Sequence, residues 1–142
     1  MDELTFTIPG EPCAQGRPRF TTVNRHVKAY DPEKSRNYKS FVKYIATDEA
    51  KKQGWMYTEL PLHIDVKAYL PIATSKSKKF KAAALAGNER PTKKPDIDNL
   101  FKTVTDAMSN ILYKDDKQIV SATISKWYSD EPRLEVHIEV LI

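Results

Sequence analysis

A chain of 142 residues, 40% apolar and 30% charged, has the length for one domain with a core and not for two, so residues 1–142 are expected to form a single unit. One cysteine, Cys13, excludes an internal disulfide framework and a four-cysteine zinc site. No apolar run nears the ~20 residues that cross a bilayer, and MDELTFTIPG lacks the basic and apolar parts of a leader, so the expectation is a cytoplasmic protein with no membrane contact. The net charge of +4 is unevenly divided: residues 1–95 carry 18 Lys+Arg against 10 Asp+Glu, and residues 96–142 carry 5 against 9. A basic front part suits the collection of a polyanion, and the acidic rear part asks for a different role.

LTFTIPG, Leu4–Gly10, alternates apolar and polar residues and stops at Pro-Gly, which predicts a short half-buried strand. EPCAQGRPRFTTVNRHVKAYDP then holds three prolines and four Arg/Lys, a long loop or an irregular hairpin of the kind that carries function. From Glu33 the apolar positions Tyr38, Phe41, Val42, Ile45 and Ala46 recur at helical spacing until Gly54. Leu62, Ile64, Val66 and Ala68 alternate with His63, Asp65 and Lys67 as a strand between two prolines.

TSKSKKFKAAALAG predicts a basic helix stopped by Gly87, and NERPTKKP a linker. A second clear helix is predicted over Asp98–Leu112, with Leu100, Val104, Ala107, Met108 and Ile111 as its apolar stripe. Two alternating strands close the chain, near Gln118–Tyr128 and Arg133–Leu141. The order β-α-β-(α)-α-β-β predicts an α+β fold with a single mixed β-sheet and packed helices.

Acids crowd at two points of this basic chain, KKPDIDNLFK and YKDDKQI. Asp98, Lys102 and Asp106 share the helix face opposite the apolar stripe, and Asp96 sits in the lead-in, so two carboxylates at i and i+2 are able to point at one spot. If the next strand folds back antiparallel to the helix, Asp115 or Asp116 returns to that pair. Three carboxylates together repel, and a divalent cation neutralises them; an all-oxygen set suits Mg²⁺ or Mn²⁺. His26, His63 and His137 are scattered, which argues against zinc. A calcium loop fails on its spacing: counted from Asp96, position 6 is Phe101 where glycine is needed, and position 12 is Ala107 where glutamate is needed. Hard cations beside a basic surface suit phosphodiester hydrolysis, with Lys102 on a phosphate oxygen. The competing reading makes Asp96 or Asp98 a helix cap and the Asp-Asp pair an ordinary turn. Arg17 and Arg19 of GRPRF, with Phe20 and Tyr30 nearby, are candidate phosphate contacts beside rings that stack on splayed bases.

These residues resemble the RusA-type Holliday junction resolvases, small metal-dependent endonucleases common in prophages. The resemblance rests on KPDIDNLFKTVTDAMSNILYKDDKQIV, with IPGEPCAQGRPRF and KAYDP in support, in the version found in Gram-positive bacteria and their phages. It implies metal carboxylates at Asp96, Asp98 and Asp116, a catalytic lysine at Lys102, Mg²⁺ or Mn²⁺ with no organic cofactor, a homodimer, and paired nicks across a four-way DNA junction. Pro95 stands where one relative in that family has a basic residue, leaving Lys93 or Lys94 for that phosphate contact. A non-catalytic nucleic-acid-binding or phage regulatory protein is the alternative, and it predicts no dependence on divalent metal. A PD-(D/E)xK nuclease starts well at Pro95-Asp96 but lacks the acid-x-Lys triplet on a following strand.

Overall fold

In a computed structural model, the structure describes residues 2–14, 19–23, 26–30 and 33–142, with side chains described at 2–14 and 37–142. Strand β1 (Glu3–Pro9) leads to a hairpin of β2 (Arg19–Val23) and β3 (His26–Tyr30), then helix α1 (Glu33–Gln53) and strand β4 (Leu62–Leu70). Helices α2 (Lys78–Leu85) and α3 (Ile97–Met108) follow, and strands β5 (Ile119–Tyr128) and β6 (Arg133–Val140) close the chain. The main sheet has the order β1-β6-β4-β5, antiparallel except for the parallel pair β4/β5, so it is mixed as expected. β2 and β3 form a separate two-stranded ribbon, the hairpin form of the predicted loop.

Period-two burial is literal here. Leu62, Ile64, Val66, Ala68 and Leu70 of β4 are buried, as are Leu134, Val136 and Ile138 of β6 and Leu4, Phe6 and Ile8 of β1. Their polar neighbours, among them Asp65, Lys67, Glu135 and His137, stand on the other face. The apolar face is closed by Val42 and Ala46 of α1 and by Leu100, Val104, Ala107 and Met108 of α3, with α1 packed on both α3 and β1. Each Val, Leu, Ile, Phe or Met side chain so removed from water stabilises the fold by ~1.5–3 kcal/mol. Gly54 ends α1 at φ 75°, a left-handed position that glycine takes without steric strain.

One boundary departs from expectation. α3 ends at Met108, four residues before the predicted Leu112. Ser109 is extended (ψ 140°) and Asn110 is left-handed (φ 66°), which turns the chain out of the helix. Leu112 and Tyr113 still reach the core, both fully buried, from a non-helical turn. The indole of Trp55 donates to the Leu112 carbonyl at 2.9 Å, and the Asn110 amide donates to the Tyr113 carbonyl at 2.7 Å. No helix among the described residues is long and apolar enough to cross a membrane.

Candidate metal centre

α3 presents two unlike faces. Leu100, Val104, Ala107 and Met108 are buried, while Asp98, Phe101, Lys102 and Thr105, one turn apart on the other side, line an open cleft of about 440 Å³. The opposite wall is the start of β5, Ile119–Ala122, and Asp116 joins the lining from the turn before it. The chain therefore does fold back: β5 runs beside α3 and brings Asp116 to the same cleft as Asp98 and Lys102. Of the residues singled out in the sequence, these three meet there among the described residues.

Asp96 is the N-cap residue of α3, extended at φ −71° and ψ 143°, and its side chain makes no capping hydrogen bond. It is exposed, one residue ahead of the helix and outside the set that lines the cleft. Asp115 is also an N-cap, of the single 3₁₀ turn Asp116–Gln118, and it caps fully. Its carboxylate accepts from the Lys117 amide at 2.8 Å, while the Gln118 side chain accepts from the Lys114 and Asp115 amides, each at 2.8 Å. The Gln118 amide group donates in turn to the carbonyls of Thr58 (2.9 Å) and Leu60 (3.0 Å), tying the turn to the segment before β4.

Tyr113 holds the remaining carboxylate. Its hydroxyl donates to the Thr105 carbonyl at 2.8 Å and approaches Asp116 Oδ1 at 3.1 Å. One proton serves two acceptors, and the shorter bond takes the larger share. Burial pushes the phenol far up, with the Asp116 charge adding to it. The Asp116 carboxyl is also held above its ordinary value, first by burial and then by Asp106 and Asp115, with the Tyr113 hydrogen bond opposing. Asp106 is thus drawn to the same patch; Lys102 Nζ lies 3.8 Å from Asp106 Oδ2, a long contact between an exposed lysine and a half-buried aspartate, worth about 1 kcal/mol or less. So weak a tie leaves the Lys102 ammonium available to an anion.

The basic candidates divide. Lys94 is exposed and makes no hydrogen bond or ion pair among the described residues. Lys93 reaches the Pro71 carbonyl at 3.5 Å, with its ammonium 5.9 Å from the centre of the Tyr128 ring. Arg17 lies outside the described residues, and Arg19 opens β2 with its side chain outside them.

Among the described residues, the metal-capable donors lining the cleft are oxygens, the carboxylates of Asp98 and Asp116 with the hydroxyl residues Thr105 and Ser121 beside them, and no imidazole or thiol joins them: His63 and His137 face outward from the sheet and Cys13 lies far from it in sequence, beside Ala14. That chemistry fits a hard divalent cation and not zinc. Among the described residues, the metal-capable side chains whose ligand atoms all lie within 4.8 Å of one another are Glu3, His137 and Glu139. They sit on β1 and β6, away from β5, where His137 is already engaged by Thr5 Oγ1 at 2.8 Å and Glu3 Oε1 at 3.4 Å, a cross-strand surface network. No three of Asp96, Asp98, Asp106, Asp115 and Asp116 form a group that close.

Asp106, placed on the Asp98–Lys102 face by its spacing, shapes this centre together with Tyr113 and Gln118. No spacing rule marks Tyr113 or Gln118, because their contacts depend on the non-helical turn between α3 and β5.

Residues 9–139 match the family model described as Endodeoxyribonuclease RusA. The chain is also 45% identical over 140 residues to a Bacillus subtilis (strain 168) protein described as uncharacterized protein YqaN, an alignment covering 97% of this chain and 96% of that one. With a match over nearly its whole length, and with acids and a lysine of two separate stretches facing one cleft, the chain belongs to the RusA endodeoxyribonuclease family.

Proposed function

We propose that this protein is a structure-selective endonuclease that resolves four-way (Holliday) DNA junctions by paired symmetric nicks, through metal-dependent phosphodiester hydrolysis. The observation that carries the reading is the meeting of Asp98, Lys102 and Asp116 in one cleft between α3 and β5. Asp98 and Asp116, with Asp96 from the adjoining N-cap, are the groups that would hold Mg²⁺ or Mn²⁺. The chemistry such an ion supplies is Lewis acidity, which makes a hydroxide nucleophile available near neutral pH and balances charge on the leaving oxygen.

The chain's own side chains do the rest. Lys102, 65% exposed at its side chain, offers an ammonium to a non-bridging phosphate oxygen and to the charge that grows there during attack. Tyr113 fixes the direction of the Asp116 carboxylate, and Gln118 fixes the turn that carries it. Lys94, with Arg17 and Arg19 of the basic front part, contacts the DNA backbone, which positions the junction without reading its sequence. Paired nicks need two such centres, so the active form is a homodimer.

The test is a synthetic four-way junction incubated with the protein, with and without Mg²⁺. Paired nicks at symmetric positions only with the metal are expected. Binding of the junction with no nicking in either Mg²⁺ or Mn²⁺ would instead favour the non-catalytic reading.

A further inference from the structure

The segment that leads into Asp96 and the α3 turn bearing Asp98 has no strand or helix of its own. Between Gly87 and α3 the chain runs as irregular backbone, and what holds it is the far end of β5. The Arg90 guanidinium lies flat on the Trp127 ring, 3.4 Å from its centre, and Arg90 Nε donates to the Lys126 carbonyl at 2.7 Å. The Lys126 ammonium reaches back across and donates to two carbonyls of that segment, Lys93 at 2.7 Å and Pro95 at 3.0 Å. The second of these belongs to the peptide that leads directly into Asp96.

Lys126 is half-buried and alternates with Trp127, so it projects from the helix-facing side of β5, the side that bears Ala122 and the cleft. The same strand begins immediately after Asp116–Gln118. One side chain therefore spans the two stretches that carry the acids: its backbone continues from Asp116, and its ammonium grips the residue before Asp96. An ammonium suits this task, because it presents several charge-assisted donors at once to acceptors two residues apart.

We infer that Lys126 is a positioning residue of the metal centre, setting the separation between the start of α3, with Asp96 and Asp98, and the turn that carries Asp116. This rests on the reading of the cleft as a metal centre. Lys126 touches neither ion nor phosphate; it acts through the backbone that aims the carboxylates.

The experiment compares Lys126→Met, Lys126→Gln and Lys126→Arg with the wild type in two measurements: Mn²⁺ affinity, from the free-ion signal in electron paramagnetic resonance, and the Mg²⁺ midpoint for cleavage of a four-way junction. Loss of an outer support of a metal site typically costs 10–100-fold in affinity, so Lys126→Met is expected to weaken Mn²⁺ binding by at least ~10-fold. Lys126→Arg, which keeps charged donors, recovers most of that affinity, and metal-free junction binding is unchanged throughout. Val136→Ala, a buried truncation two strands away from β5, lowers the melting temperature without moving the Mn²⁺ affinity, which separates positioning from general stability. Lys126→Met binding Mn²⁺ as the wild type does overturns the inference alone. Should Lys126→Met not fold, Lys126→Gln decides: wild-type Mn²⁺ affinity in that variant overturns the inference equally. A wild type that binds no Mn²⁺ overturns the metal-centre reading, and the inference with it.

Discussion

Asp96 and Asp115 occupy the same kind of place. Each is the N-cap of a helical turn, each has extended backbone, and each precedes a second acid, at i+2 in one case and i+1 in the other. At Asp115 the carboxylate is spent on the turn, accepting from the Lys117 amide while Gln118 completes the reciprocal bond. At Asp96 the carboxylate caps nothing, and the lead-in is held from outside by Lys126. Residue type and local position therefore do not decide whether an aspartate is structural. What decides is whether the backbone around it is satisfied by that carboxylate or by something else.

The largest test of this difference replaces each acid by its amide. Asn caps as well as Asp does, so Asp115→Asn is expected to cut a four-way junction within about threefold of the wild type. If Asp96 holds the ion as proposed, Asp96→Asn removes a charged ligand; the charge stabilisation a metal gives is several kcal/mol, on the order of a thousandfold in rate at about 1.4 kcal/mol per tenfold. Its junction binding stays intact or tightens, because a repulsive charge is gone. Single-turnover cleavage and gel-shift binding of both variants check this, and equal activity of the two would erase the distinction.

A smaller effect is expected one layer out. Tyr113→Phe removes the hydroxyl that bridges the Thr105 carbonyl and Asp116. Ser109 still donates to that carbonyl at 2.9 Å, so the stability lost is about 1 kcal/mol. The Mg²⁺ midpoint for cleavage rises by about tenfold, the low end for a lost outer support. Asp115→Ala gives the opposite profile: it costs about 1 kcal/mol of stability through the lost cap, measured by urea unfolding, with a smaller change in the Mg²⁺ midpoint than Tyr113→Phe produces.

β4 and β6 were legible because their burial follows the alternation of residue types directly; β5, whose burial does not alternate, still begins and ends within a residue of where the pattern places it. The helix face bearing Asp98 and Lys102 was legible for the same reason at a different period. The end of α3 was not. Ile111 continues the stripe of Val104, Ala107 and Met108, and a buried Leu112 looks the same in sequence whether a helix or a turn delivers it. The residue pattern alone left Asp115 and Asp116 open, and it was the family resemblance that pointed to Asp116; the cap that occupies Asp115 depends on Gln118 folding back over the turn. Lys126 was invisible for a plainer reason: its partners are carbonyls, which every residue carries.

The smallest expected effect is on stability, and its sign is informative. Burial, Asp106 and Asp115 raise the Asp116 carboxyl above its ordinary value of 3.8, and the shared Tyr113 proton only partly opposes them. The folded chain therefore holds more protons than the unfolded one in a window that starts near that ordinary value and extends upward. Stability from this group is present below the window and is lost as pH rises through it, so near pH 7 the ionised carboxylate is a cost. Asp116→Asn keeps an acceptor for the Tyr113 hydroxyl and removes the charge. In metal-free buffer at pH 7 it should melt above the wild type, and the difference should shrink as pH falls toward 4. Asp116 is largely open to solvent, which screens the effect, so the gain is about 1–2 °C, a fraction of a kcal/mol for a chain of this size. Saturating Mg²⁺ should reverse the order, because only the wild type gains the binding free energy, about 2.7 kcal/mol at a hundredfold excess over Kd. A variant more stable without metal and less stable with it marks a carboxylate placed for an ion; a capping carboxylate such as Asp115 shows no such inversion.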